Sequence, residues 1–390
     1  MLELLLIFAC GVGAGIVTGL TPGFHPNNLV FLLPVLLLFF GPVPAGVFIV
    51  SAGAVNVLVG FIPSIFLGAP EADSVMSVLP GHRLLKKGLG TEAVLASVNG
   101  AVYGGIFSVV LLPIFSFIFP LLYKTIRPSM HWLLLFFMIY MFATEKGWGR
   151  IISALIFLLS GLIGLGFLGT GDTMLFPLLT GFFALPMLFI SIFKPQGKHE
   201  FESGKKLHVS WKPAILGSLS GIFAGLLPGI GSSQAAVIIE SIEPKEEEFL
   251  SALGSLNISD MIYSFMALWI VSNPRSGIAV AVGKILEINI SNMVILLASI
   301  LAAVFAGYFI VRLMVGKFEV MLKKIDYGLL SGGVLIFLIS AISVTTGVYG
   351  LIAAGAAASV GAAAAFTGVR RSSCMGCLIL PTMLFFAGLQ

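Results

Sequence analysis

One nine-residue pattern occurs twice in this chain and constrains its fold more than any other feature. Residues 15–23 and residues 221–229 both read Gly-x-x-x-Gly-x-x-Pro-Gly, and both lie in long apolar stretches. Glycines four residues apart let two helices approach each other closely in a membrane. The Pro-Gly pair then ends the helix, because proline lacks a backbone N–H donor and glycine tolerates unusual backbone angles. The pattern therefore predicts two tightly packed helices that each break.

A helix that breaks inside a bilayer leaves backbone N–H and C=O groups that lipid cannot satisfy. Such breaks are tolerated only beside protein or a water-filled cavity, and matching breaks in two halves indicate a secondary transporter's binding site. We therefore expect both breaks, with the polar residues that follow them, to bind the substrate. These residues are Pro22, Gly23, His25, Asn27 and Asn28 in the first copy and Pro228, Gly229, Gly231, Ser232, Ser233 and Gln234 in the second.

The composition indicates a membrane protein. Of the 390 residues, 58% are hydrophobic and only 10% are charged, and the mean hydropathy is +1.10. A soluble domain of this length needs more charge on its surface. The net charge of +4 reflects basic loops between apolar runs, not a surface for nucleic acid. The sequence predicts a multi-pass protein of the cell membrane that contacts the lipid bilayer and has no nucleic-acid partner.

The apolar runs indicate the fold class. Runs that can span a bilayer predict an all-α polytopic protein with about ten membrane helices, including broken helices or re-entrant hairpins. Residues 1–193 would form the first transmembrane repeat and residues 213–390 the second, related as an inverted repeat. The most polar stretch, residues 194–212, contains five lysines and would be a cytoplasmic linker. Residues 71–92, which carry several charges, are expected to be a loop.

The similarity between the halves extends beyond the repeated motif. The segment Ser51-Ala-Gly-Ala-Val-Asn56 resembles Ser251-Ala-Leu-Gly-Ser-Leu-Asn257, and each follows its motif in the same order. This alignment pairs Asn56 with Asn257.

Ionisable side chains inside membrane spans are costly and usually mark a pathway. His25 would contact the substrate or a proton, or else bond to carbonyl groups at the helix break. Asp260 lies between apolar flanks and would bind a coupling cation, or else cap a helix at the membrane interface. The candidate coupling-ion residues are His25, Asn56, Asn257, Ser259 and Asp260.

The polar residues after each break point to an anionic substrate. Each group precedes the start of a half-helix, where free N–H groups and the helix dipole favour an anion. Two such ends facing each other would bind an organic anion near the bilayer midplane. Because an anion moves inward against the membrane potential, we expect a proton or sodium gradient to drive transport.

An intramembrane enzyme is a third function to consider for this sequence. Gly169-Thr-Gly-Asp172 resembles the Gly-x-Gly-Asp signature of intramembrane aspartyl proteases, which need a second aspartate. No aspartate precedes it in an apolar run, and no Pro-Ala-Leu segment follows it. Cys374-Met-Gly-Cys377 lacks the second cysteine pair that a metal site needs. The sequence therefore predicts no enzyme, no cofactor and no metal.

At the paired motifs the chain resembles the large permease subunit of the tripartite tricarboxylate transporters, which carries Gly-x-x-x-Gly-x-x-Pro-Gly-x-Gly in both halves. The second copy fits through Gly231, and residues 180–185 resemble the family's Gly-Leu-Phe-Ala segment. The resemblance implies a permease for a small carboxylate. It leaves open whether a small membrane subunit, an extracytoplasmic binding protein or a second copy of the chain accompanies it.

Two departures from that family's pattern favour keeping a second family as an alternative. His25 stands where the family usually has glycine, and the family's Pro-Glu segment is absent, with residues 254–260 roughly in its place. Bacterial polyprenyl-phosphate translocases also place paired Pro-Gly motifs on inward-folded hairpins. Half-helix N-termini would suit their phosphate headgroup. The alternative function is therefore translocation of a polyprenyl-phosphate lipid.

Overall fold

The computed structural model describes most of the chain, namely residues 2–21, 33–68, 74–143, 145–171, 173–193, 210–226, 231–243, 245–272, 276–322 and 327–389. This part of the chain contains helices and turns and no strand. Seven of its helices are long and apolar enough to cross a membrane, and four shorter apolar helices accompany them. The prediction of an all-α polytopic membrane protein is confirmed.

The helices are numbered in chain order. Those before residue 194 are α1 (Leu2–Leu20), α2 (Leu33–Phe40), α3 (Pro42–Val59), α4 (Phe61–Leu67), α5 (Val78–Lys86), α6 (Gly90–Ile126), α7 (Met130–Ala143), α8 (Gly149–Phe167), α9 (Leu175–Leu179) and α10 (Leu185–Phe193). Those after it are α11 (Lys212–Leu226), α12 (Ser232–Ile242), α13 (Glu246–Val271), α14 (Gly277–Ile285), α15 (Ile290–Leu322), α16 (Tyr327–Thr367) and α17 (Gly376–Phe386). A π-helix, Thr180–Ala184, joins α9 to α10, and a 3-10 helix, Arg371–Met375, precedes α17.

Helix α5 lies inside the segment expected to be a loop. It is amphipathic: Leu84 and Leu85 are buried, whereas Lys86 is exposed. Its charges lower the hydropathy of the segment, so hydropathy alone does not indicate a helix there. Arg83 and Lys87 reach Glu246 in the first turn of α13, and the Lys87 Nζ–Glu246 Oε2 distance is 2.8 Å. The helix therefore lies at a polar end of the bundle.

The two most buried spans form the centre of one helix group. The residues of α3 and α4 are almost all buried, as are most of those of α13, whereas the other spans bury less than half of theirs. Helix α1 packs on α3 as α11 packs on α13, while α6 packs on α13 and α15 on α3. We call α1, α3, α6, α11, α13 and α15 the motif group. Because α6 and α15 each pack on the other half's central helix, the halves interleave.

The motif glycines contact α3 and α13 in the same way. A Cβ atom at Gly15 would lie 2.5 Å from the Ala52 carbonyl oxygen and 2.8 Å from Val55 Cβ. A Cβ atom at Gly221 would overlap the Leu256 carbonyl oxygen and lie 2.6 Å from the Cβ of the next contact residue, Ser259. Only glycine lets the backbones approach this closely. The same interface is therefore built once in each half.

The next motif glycine shows which residues of α3 and α13 correspond. A Cβ atom at Gly19 would lie 3.0 Å from the Asn56 carbonyl oxygen, and one at Gly225 would lie 2.6 Å from the Asp260 carbonyl oxygen. The structural counterpart of Asn56 is therefore Asp260. The predicted pairing of Asn56 with Asn257 is therefore wrong by three residues. The Ser-Ala and asparagine matches between the two segments align α3 and α13 nearly one helical turn away from their structural register.

A second group of helices, α8–α10 with α16 and α17, repeats in the same manner; we call it the flanking group. Helix α8 packs on α17, and α16 packs on α9 and α10. A side chain at Gly164 would overlap the Cys377 carbonyl oxygen, and one at Gly361 would overlap the Phe182 carbonyl oxygen. Each half again contributes one helix to each of the two interfaces.

Two glycines with positive φ hold corresponding turns. Gly147 lies between α7 and α8 with φ 54°, and Gly347 divides α16 into two arms with φ 63°. Side chains rarely adopt this left-handed region, so glycine is favoured at both turns. The two arms of α16 correspond to α7 and α8, so the internal similarity includes the turns as well as the helices.

The contact between α6 and α13 generates a stability prediction. A Cβ atom at Gly254 would overlap the Ser97 carbonyl oxygen, whereas one at Gly316, on α15, meets no atom within 4 Å. Gly254→Ala forces the two helices apart and should lower the free energy of unfolding by about 1–3 kcal/mol. Gly316→Ala, the matched control, should raise it by up to ~1 kcal/mol through helix propensity. Thermal unfolding in detergent measures both, and equal effects would contradict the packing described.

Candidate functional site

The structure describes one part of the expected site. Outside the described residues lie, from the first copy, Pro22, Gly23, His25, Asn27 and Asn28, and, from the second, Pro228 and Gly229. The side chains of Ser233 and Gln234 and the whole of Asp172 also lie outside them. Helices α1 and α11 end at Leu20 and Leu226, each two residues before the proline of its motif.

Ser232 and Asp260 meet in the second half. Helix α12 begins at Ser232, directly after the second motif, and packs on both α11 and α13. Ser232 is 4% exposed, and its Oγ donates a hydrogen bond to Asp260 Oδ2 at 2.6 Å. Gly231 precedes it at the start of the helix. The structure therefore places an ionisable side chain of a central span against the N-terminal end of α12.

Ser259 faces a different helix from its neighbour Asp260. Ser108 of α6 donates a hydrogen bond to Ser259 Oγ at 2.7 Å and lies 3.3 Å from Ser218 Oγ on α11. Tyr263 donates to the Ser108 carbonyl oxygen at 3.1 Å. These buried hydroxyl groups join α6, α11 and α13, as polar side chains commonly do between membrane helices. We call Ser108, Ser218, Ser259 and Tyr263 the hydroxyl cluster.

Asn56 and Asn257 are both buried, each on one of the central spans. Asn56 is 2% exposed and donates through Nδ2 to Thr18 Oγ1 of α1 at 3.1 Å. Asn257 is 3% exposed and lies one turn before Asp260 on α13. The described contacts thus join Ser232 to Asp260 and Asn56 to Thr18.

Several other charged side chains lie at the ends of helices. Lys87 and Glu246 pair at the start of α13, and the backbone N–H of Arg370 donates to Glu145 Oε1 at 3.1 Å. In the loop after α12, burial and the nearby charge of Glu248 raise the pKa of Glu243 above its ordinary value. Asp260 differs from these groups because it lies well inside a central span.

The described site offers groups that can bind ions. Asp260 supplies one ionisable group, and the N-terminal end of α12 supplies backbone N–H donors beside the Ser232 hydroxyl. Among the described residues, no three His, Cys, Asp or Glu side chains gather where they could hold a metal ion. The arrangement can attract an anion through α12 and a cation through Asp260.

A further polar contact lies in the flanking group, at a segment that the sequence analysis noted only by resemblance. Residues 180–184 form a π-helix, an element that often occurs at functional sites. The guanidinium of Arg371, which is 6% exposed, donates to the Phe183 carbonyl oxygen at 3.2 Å. A π-helix alters the backbone hydrogen-bond pattern, and Arg371 bonds to one of its carbonyl groups.

The hydrogen-bond partners of the candidate residues could not be recognised from the sequence. Thr18, Ser108 and Ser218 are small hydroxyl residues in apolar runs, which alone do not distinguish them from ordinary packing residues. Two of them adjoin a glycine that packs on a central span: Thr18 precedes Gly19, and Ser218 follows Gly217. A hydroxyl group beside such a glycine would have been the available signal.

Comparisons with known proteins agree with this architecture. The model of the tripartite tricarboxylate transporter TctA family matches residues 5–376. An uncharacterised protein of Methanocaldococcus jannaschii is 28% identical over 397 aligned positions, which cover 98% of each chain. No solved structure matches the chain. The family match spans both copies of the motif and most of both helix groups, so the chain belongs to the tripartite tricarboxylate transporter TctA family, a family of membrane transporters and not of enzymes.

Proposed function

We propose that this protein is a secondary-active transporter of a small carboxylate, driven by a proton or sodium gradient. The observation that carries the proposal is the start of α12 at Ser232, where a buried hydroxyl group and a helix N-terminus follow the second Pro-Gly pair. Such an end favours an anion. The family to which the chain belongs supports a transport role, and its name supports a carboxylate.

The proposed substrate site lies between the two Pro-Gly segments. Its residues are Pro22, Gly23, His25, Asn27, Asn28, Pro228, Gly229, Gly231, Ser232, Ser233 and Gln234. The repeated contacts of Gly15 and Gly221 support it, because they bring α1 and α11 to equivalent places on α3 and α13. In this proposal residues 1–193 and 213–390 are the two repeats, related as an inverted repeat, and residues 194–212 link them in the cytoplasm.

The proposed coupling ion binds among His25, Asn56, Asn257, Ser259 and Asp260. Asp260 has the strongest support, because its carboxylate accepts a hydrogen bond from Ser232 inside the motif group. Cotransport of a cation offsets the cost of moving an anion against the membrane potential, roughly 2.3 kcal/mol per charge per 100 mV. Partner proteins, either a small membrane subunit or an extracytoplasmic binding protein, are proposed from the word tripartite in the family's name.

A charge substitution at Ser232 tests the anion site. Ser232→Asp should lower citrate transport at least tenfold more than Ser232→Ala, because like charges at about 4 Å repel by ~4 kcal/mol in a partly screened site. Uptake of labelled citrate into proteoliposomes is the measurement. Ser241→Asp, at the far end of the same helix, is the matched control and should be tolerated. Equal losses for Ser232→Asp and Ser232→Ala would indicate a neutral or cationic substrate.

The driving force and the substrate are tested together in proteoliposomes. Citrate uptake should accelerate when an inward proton gradient or an inward sodium gradient is imposed, and the effective gradient identifies the ion. If the imidazole of His25 carries the coupled proton, His25→Gln should remove the proton response but leave a sodium response unchanged, because an imidazole exchanges a proton near neutral pH. Translocation of a polyprenyl phosphate is measured in the same vesicles. Lipid translocation without citrate uptake would replace this proposal by the lipid translocase.

A further inference from the structure

The two central spans carry different residues at one equivalent position. Gly19 approaches the carbonyl group of Asn56, and Gly225 approaches that of Asp260. One turn earlier, Gly15 approaches Val55 and Gly221 approaches the residue before Asp260. Two successive contacts in the same register make the correspondence specific. An amide in the first half thus stands where the second half has a carboxyl group.

The equivalent side chains also bind different helices. Asn56 donates to Thr18, which belongs to the motif helix α1. Asp260 accepts from Ser232, which begins the helix after the second motif. The central span of the first half also lacks a counterpart of Ser259, because Val55 occupies the corresponding position. The described polar groups are therefore arranged asymmetrically on a symmetric backbone.

The Asp260 carboxylate lies at the helix end that we propose for the anion. Its Oδ2 is 2.6 Å from Ser232 Oγ, so a substrate carboxylate bound at the start of α12 would lie beside a like charge. In a buried site this repulsion is screened far less than in water. An anion and an ionised Asp260 therefore compete for the same favourable helix end.

The described surroundings of Asp260 come from several elements packed against α13. Helix α11 presents the backbones of Gly221 and Gly225, and α12 presents Ser232. From α13 itself the nearest titratable group with a described contact is Tyr263, which bonds to Ser108 of α6. The charges of α5 pair with Glu246 at the start of α13, and Glu240 lies near the far end of α12. His25 lies outside the described residues.

We infer that Asp260 couples the two ligands: the substrate anion binds at the start of α12 only when a proton or a monovalent cation neutralises Asp260. Asn56, at the equivalent position, does not take part, so this pair of positions contributes one positive charge per transported anion. The inference rests on the proposed function and identifies the residue that links cation binding to substrate binding. It also gives cation and anion a shared site, which makes their binding reciprocally cooperative.

Binding of labelled citrate to the purified full-length protein tests this inference. One series varies pH without sodium, and the other varies sodium at a fixed alkaline pH. The wild-type affinity should rise at least tenfold along one series, which identifies the neutralising ion. Asp260→Asn should bind citrate with less than a twofold change along that series, because its amide is permanently neutral. Its residual pH dependence also measures protonation of citrate itself.

Three variants separate electrostatics from folding. Asp260→Glu retains the charge and should retain the cation dependence, and Ser232→Ala should weaken binding but keep that dependence. Asn56→Asp adds a carboxylate at the equivalent position and should add a second cation-dependent step. Cation dependence that persists in Asp260→Asn would overturn the inference while citrate binding upholds the proposed function. Absence of anion binding by wild type in every condition would instead refute the proposed function, and this inference with it.

Discussion

The close approach of helices at glycine is the constraint on which the rest of the structure depends. Apolar helices in a membrane gain no hydrophobic free energy when they exchange lipid contacts for contacts with one another. Helix association therefore relies on packing and polar contacts. Gly15 and Gly221 remove the side chain that would keep α1 from α3 and α11 from α13. With those interfaces formed, α6 and α15 pack on the remaining faces of the central spans, and the two halves become interleaved.

A repeated backbone with asymmetric side chains agrees with the coupled transport proposed above. The repeated packing places two helix ends in equivalent surroundings, whereas coupling needs a group that changes charge. Asp260 and Ser259 lie on the central span of the second half. Asn56 and Val55 occupy the equivalent positions on the central span of the first half. A buried carboxylate is costly in a membrane protein. Having it at one of the two positions limits that cost and leaves the backbone repeat unchanged.

The long apolar helices were predictable because hydropathy and length are summed over many residues. Helix α5 was not, because its charges hide an amphipathic pattern within a short segment. The register of α3 against α13 was also mispredicted: the similar starts at Ser51 and Ser251 suggested Asn257 as the partner of Asn56. Only the glycine contacts place Asp260 there. A slip of nearly one turn changes which side chain faces the motif.

The sequence by itself determined the membrane environment, the helical fold, the two related motifs and the candidate polar residues, since each follows from local composition or spacing. Only the tertiary structure decided which polar residues meet. Three of these contacts join separate helices: Ser232 with Asp260, Asn56 with Thr18, and Arg371 with the π-helix. Such pairings depend on rotation and register between helices, and a residue's neighbours along the chain carry no information about either.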